Sequence, residues 1–324
     1  MSKPLSLFTI AILLFINGCG SNGSDEPVVD SKTGFLISGQ IYNFYVQSYY
    51  FNIENDLTQS FGSQASYYLE WSANRDSAFF NYETEGNGIW AVSLDDFEPV
   101  LLYDSEYSEN NIIRIPDGFI FKTSDLPVTI MRWDDIFLET VFIGDAGYSE
   151  RYRISPDNSA FAFYLTGLAQ QIHVVEIKDT APWNEIAAIP GRLFSWLDTN
   201  PGKIIIGDGS YATIHNIHDL SDSTQIVLPQ SGLMGLAVCD TTIYGVFYAN
   251  DSSYIRTLTT NGGSSTLICA IEGYPIDFDS SPFDNLLVLA VSRSNMDYLI
   301  IIDLDTVEIR EVLSATSIRE VRWR

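Results

Sequence analysis

The chain has 324 residues, 46% of them apolar, which is enough for a substantial core and excludes disorder as the default. Its 42 Asp and Glu outnumber its 17 Lys and Arg, for a formal charge of −25. Nucleic acid and anionic lipid headgroups repel such a polyanion, so neither is an expected partner; cations, basic proteins and neutral ligands remain.

In chain order the first element is MSKPLSLFTIAILLFINGCG. Lys3 precedes an apolar run from Leu5 to Ile16, about 12 residues long, too short to span a bilayer but right for a signal-peptide core. At its end, Ile16-Asn17-Gly18-Cys19 resembles the lipobox of bacterial lipoproteins, with Asn17 departing from the usual small or aliphatic residue. The resemblance implies cleavage before Cys19, lipidation of its thiol and acylation of the new N-terminus. Several acyl chains on one residue anchor stably. Gly20 resembles the outer-membrane class, because Asp at that place marks inner-membrane retention in the family. Ser24-Asp25-Glu26 is similar to the acidic surface-export signals of some bacterial groups. The expected organisation is a signal peptide over 1–18, a Gly-, Ser- and Asp-rich tether over 19–34 and a folded domain over 35–324. The expected address is the outer membrane, on its periplasmic face or at the cell surface.

Beyond the tether, strand-forming runs alternate with Pro/Asp/Asn turns. RYRISPDNSAFAFYL reads as strand, tight turn, strand, because Pro fixes φ and Asp and Asn favour turn geometry. Aligned on the strand before each turn, units begin at Leu69, Asn111, Arg151, Leu193, Leu233 and Ile276, at spacings of 42, 40, 42, 40 and 43 residues. A period near 40 built from strands is the mark of a propeller array. Each unit continues with an apolar second strand (FIFK, AFAFYL, KIIIG, LLVLAV) and a third such as GIWAVSLDD, QIHVVEIKD, ATIHNIHDL or DYLIIIDLD. A more polar fourth strand closes it. The middle strands are expected to be apolar on both faces because neighbouring blades cover them. The outer strand is an edge that Glu308, Arg310 and Glu311 protect. The terminal VRWR reads as the first strand of a unit whose others are GFLISG, SYYFNIEND and LTQSFG. The predicted fold is therefore an all-β propeller of seven four-stranded blades closed by a composite N-/C-terminal blade. The degenerate unit at Asn111 leaves six and eight as alternatives.

SPDN at Ser155 to Asn158, with IIIDLD at Ile300 to Asp305, resembles the TolB-type (WD-type) propeller repeat, and the pattern covers nearly all of residues 35–324. The resemblance implies fold rather than function. The additional N-terminal domain of TolB and the hydrolase domain of dipeptidyl-peptidase-like enzymes have no counterpart here.

The search for chemistry finds no G-x-S-x-G elbow, phosphate loop, C-x-x-C pair or H-E-x-x-H. His173, His215 and His218 read as structural, the last two pointing to opposite faces of one strand. Asp277, Asp279 and Asp284 offer oxygens to calcium without EF-hand spacing and read as turn formers. Asp95-Asp96 and Asp134-Asp135 read likewise. The aromatic cluster from Ile41 to Phe51 reads as strand packing. Cys239 and Cys269 are expected on the first and last strands of one blade, too far apart to bridge. No catalytic, cofactor-binding or metal residue is assigned, and no cofactor is expected. The reading is a lipid-anchored, non-enzymatic binding or scaffold module for envelope proteins or glycan. The rival is a metal-dependent lyase or hydrolase whose side chains converge in the central funnel from several blades.

Overall fold

The structure, a computed structural model, describes residues 34–323 apart from 42–46, 55, 62–68, 73–75, 82–87, 105–109, 126, 135–137, 145–147, 167–169, 198–199, 201, 240, 261–264 and 282–283. Cys19, the signal peptide and the tether up to residue 33 lie outside the described residues.

The described residues form 28 strands in seven four-stranded antiparallel sheets, with no helix. Blade I takes β1 (Gly34–Gln40), β2 (Gln47–Asn52) and β3 (Leu57–Phe61), and β28 (Ser317–Trp323) is its first strand. Blade II is β4 (Leu69–Trp71), β5 (Ser77–Asn81), β6 (Gly88–Ser93) and β7 (Pro99–Asp104). Blade III is β8 (Asn110–Ile115), β9 (Gly118–Asp125), β10 (Val128–Trp133) and β11 (Leu138–Ile143). Blade IV is β12 (Tyr148–Ile154), β13 (Ala160–Thr166), β14 (Gln171–Glu176) and β15 (Glu185–Pro190). Blade V is β16 (Leu193–Trp196), β17 (Lys203–Asp208), β18 (Tyr211–Asn216) and β19 (Asp219–Ile226). Blade VI is β20 (Leu233–Cys239), β21 (Thr242–Ala249), β22 (Ser252–Leu258) and β23 (Leu267–Glu272). Blade VII is β24 (Tyr274–Ser280), β25 (Leu286–Arg293), β26 (Met296–Asp303) and β27 (Ile309–Ala315). The chain is thus a seven-bladed propeller. The Asn111 unit is a full blade, and the composite blade forms as the sequence predicts.

The turns fold for local reasons. In Ser155–Asn158 the Asp157 carboxylate accepts from Ser155 Oγ (2.7 Å) and the Ser159 N–H (3.1 Å), and Asn158 takes the left-handed φ of 58° that its short amide tolerates. Ser155 N then donates to Ala160 O at 2.8 Å, closing the hairpin.

The core lies between blades, not inside one. Seven apolar clusters occupy the seven seams: Phe35 and Phe51 meet Val288 and Leu299 between I and VII, for instance, and Phe79 meets Phe119 between II and III. A sheet apolar on both faces is stable only when covered on both, so ring closure is a packing requirement. Second strands meet the expectation fully, with β13 and β25 buried nearly throughout. Third strands meet it in part: β14 is buried on both faces, whereas β10 and β22 alternate. Blades diverge with distance from the axis, so the outer half of a third strand meets solvent.

Hydrogen bonds reinforce the inner seams. Trp71 Nε1 donates to Arg322 O (3.3 Å), Trp196 Nε1 to Arg153 O (3.2 Å) and Ser280 Oγ to Val238 O (2.9 Å). In each case the last inner-strand residue of one blade ties to the inner strand of the blade before it.

Several sequence readings need adjusting. His218 lies in the turn after β18, not in the strand, because Asn216 Oδ1 accepts the His218 N–H (3.0 Å) and turns the chain there. Glu308 precedes β27 rather than lying in it. Asp277 and Asp279 are not turn residues; both lie on β24, and only Asp284 sits at the bend. Cys239 and Cys269 are free, buried thiols on the two edge strands of blade VI. Tyr49, Tyr50 and Phe51 are buried in β2, as strand packing requires.

Candidate functional site in the axial channel

The innermost strands are β28, β4, β8, β12, β16, β20 and β24, and they surround the axis. By sequence they carry five arginines (114, 151, 153, 319 and 322) and five carboxylates (70, 150, 277, 279 and 320). In a chain of charge −25 this inner ring is therefore balanced, and it holds nearly a third of the 17 cations. The charges are unevenly placed: β16 (LFSW) and β20 (LMGLAVC) have none.

The charged groups act on one another across the axis. Blade IV stands three places from blade VII and from blade I, as far as a seven-membered ring allows, yet Arg151 and Arg153 hold down the carboxyl of Asp277, and Arg153 that of Glu320. Influence between groups so far apart on the ring runs through its centre.

Burial raises the Asp277 carboxyl, opposed by the Val321 N–H at 3.0 Å and then by Arg153 and Arg151. Burial lifts Glu320 well above the usual carboxylate range, repulsion from Asp277 and Glu70 adds to the rise, and Arg153 and the Leu69 N–H oppose it. Glu320 Oε1 also contacts Arg322 Nη2, while its Oε2 is buried without a hydrogen-bond partner. Asp277 thus accepts a backbone N–H from the inner strand of the next blade. A third buried carboxylate, Asp297, accepts the Ile318 N–H at 2.7 Å, so β28 is held from several sides.

The histidines stand apart from this network. His173 is buried in blade IV, stacked on Phe163 with Nδ1 2.5 Å from Glu185 Oε2. His215 is half-buried on β18, and burial lowers its proton affinity. Among the described residues no group of three or more His, Cys, Asp or Glu is arranged to hold a metal ion. Asp277, Asp279 and Asp284 do not come together as a calcium site. No helix among the described residues is long and apolar enough to cross a membrane.

Sequence reading passes over Arg151, Arg153, Glu70, Glu320 and Arg322. A signal was available: charged residues spaced by two on first strands, where other units place apolar or small ones.

Fold and inner-strand charges together define a seven-bladed β-propeller with a charged inner ring. No protein-family profile matches the chain, and no curated protein is significantly similar in sequence. Solved structures share its fold. A protein from Lactobacillus plantarum is 14% identical over 90% of this chain and 99% of its own, with a TM-score of 0.63. A "putative 6-phosphogluconolactonase" from Bacteroides uniformis is 13% identical over 90% and 99%, with a TM-score of 0.65. TolB from Acinetobacter baumannii is 14% identical over 89% of this chain and 65% of TolB, with a TM-score of 0.52. At these identities the likeness is one of fold.

Proposed function

We propose that this chain is a lipid-anchored β-propeller of the bacterial envelope that acts as a non-enzymatic binding module, for protein partners or glycan. The observation that carries the reading is the commitment of the channel carboxylates. Asp277 ties one blade to the backbone of the next and Glu320 is paired with Arg322 on its own strand, so the groups best placed to serve as base or nucleophile already have a structural task. A metal-dependent lyase or hydrolase in the funnel needs ligands that converge, and the described carboxylates are interleaved with arginines instead. A rigid ring also displays wide surfaces built from loops, which suits capture of a partner. The lipobox-like stretch ending at Cys19 supports the address, and the shared fold with TolB is compatible with it.

The anchoring part is tested by fractionating cells that express the full chain and its Cys19→Ser variant. The full chain is expected in the outer-membrane fraction and the variant in the soluble fraction. Unchanged membrane retention of the variant contradicts lipidation at Cys19.

A further inference from the structure

We propose that the axial channel binds a small monocarboxylate, gripped by the guanidinium of Arg151 with Arg153 beside it. This site is independent of lipidation and of partner capture on the outer surfaces.

Blades III and IV share a bulge in the inner strand, between Asn110 and Ile113 in β8 and between Glu150 and Arg153 in β12. In each, one residue takes a left-handed conformation: Asn111 at φ 53° and Arg151 at φ 56°. Asn accepts that region readily, whereas a long side chain with no local hydrogen bond to offer does not. The same bulge is thus inexpensive in blade III and strained in blade IV. Bulges re-aim side chains, and strain of this kind gathers at ligand clamps.

The strain gains Arg151 no structural contact. Its side chain is exposed and makes no hydrogen bond or ion pair with a described residue, yet its charge acts on Asp277 across the axis. Arg153 bonds only the Tyr152 carbonyl, through Nη1 at 3.0 Å, and its charge also points at Asp277 and Glu320. Two guanidinium groups thus stand on one strand, neither saturated by described residues, and a guanidinium suits a planar oxyanion.

The surroundings narrow the ligand. Asp277 and Glu320 lie within reach of the charge on these arginines, and the whole molecule carries −25. Both penalise a dianion such as phosphate more than a single negative charge.

The test is calorimetric titration of the detergent-solubilised full chain with D-glucuronate, L-alanine, glucose and inorganic phosphate, together with Tm measurements. At least one monocarboxylate is expected to bind saturably at millimolar concentration or below, more tightly than phosphate, while glucose does not bind. Arg151→Gly is expected to weaken that binding by about tenfold or more, the loss of a charge-assisted hydrogen bond. Because glycine relieves the left-handed backbone, its Tm is expected to hold or rise. The proposal is overturned if neither monocarboxylate binds, if phosphate binds as tightly, or if Arg151→Gly binds like the parent chain. A lower Tm for Arg151→Gly would overturn it too, by assigning Arg151 a structural role.

Discussion

A single N–H donated from one blade to a carbonyl of the blade before it is worth about 1 kcal/mol. Trp71 and Trp196 make that bond at equivalent places in blades II and V. Trp196→Phe keeps most of the packing and loses the donor, so urea denaturation is expected to show a cost of about 1 kcal/mol. Trp196→Ala adds a cavity and is expected to cost about 3–5 kcal/mol. Gly235 presents a different constraint at the next seam. A Cβ there would lie 1.7 Å from Phe278 of the neighbouring blade, so Gly235→Ala forces the ring aside at an expected cost of about 1–3 kcal/mol. In a double-mutant cycle Phe278→Leu is expected to recover part of that loss, whereas simple additivity would show that the seam is not tight. The thiols give a third check. Cys239 and Cys269 are buried and not joined in a disulfide, and burial pushes the Cys269 thiol up to about 11. Both are expected to resist a thiol reagent in the native protein and to react in denaturant. Rapid labelling of Cys269 without denaturant would contradict its place on β23.

At the level of elements, the inner hairpin of blade IV follows from local turn chemistry. Ser155-Pro156-Asp157-Asn158 bends the chain by its own hydrogen bonds, so both the turn and the strands flanking it are legible from a short stretch. The third strands are less legible, because whether a residue such as Thr257 or His215 meets solvent depends on how far the blades have diverged at that radius. The channel network is harder still to see in the sequence. Arg151 and Asp277 lie far apart along the chain and meet only when the ring closes, and no local pattern marks Asp277 as an inner-strand residue rather than a turn former. Closure rests on β28. Asp297 binds Ile318 N–H, Asp277 binds Val321 N–H, and Trp71 binds the Arg322 carbonyl. Deleting residues 317–324 removes all three and uncovers the apolar faces of blades I and VII. The truncated chain is expected to lose its single cooperative thermal transition, and retention of a sharp transition would contradict closure through the composite blade.

For the whole molecule, charge sets the pH dependence. Glu320 and Asp277 are raised in the folded state, so between their unfolded values, about 4.3 and 3.9, and their folded values the native protein binds more protons than the unfolded chain. Their contribution therefore grows as pH falls through that window and is lost as pH rises above it. Asp157 behaves oppositely: burial opposes ionisation, but hydrogen bonds from Ser155 and Ser159 outweigh it and lower the carboxyl. Its contribution is present above the unfolded value and lost in stronger acid. Stability is thus expected to peak in mild acid, with Tm higher near about pH 5 than near about pH 8. Relief of repulsion among the 42 acidic side chains acts in the same direction, so Glu320→Gln separates the two. That variant is expected to flatten the slope, and an unchanged slope would remove Glu320 from the explanation.

The role proposed for this ring is that of an envelope binding module. Photocrosslinking of the lipidated full chain in living cells, with captured proteins identified by mass spectrometry, tests it most directly. The account predicts one reproducible adduct at high yield that disappears when loop residues on one face of the ring are changed. Absence of any reproducible adduct, from probes placed on both faces, would contradict it.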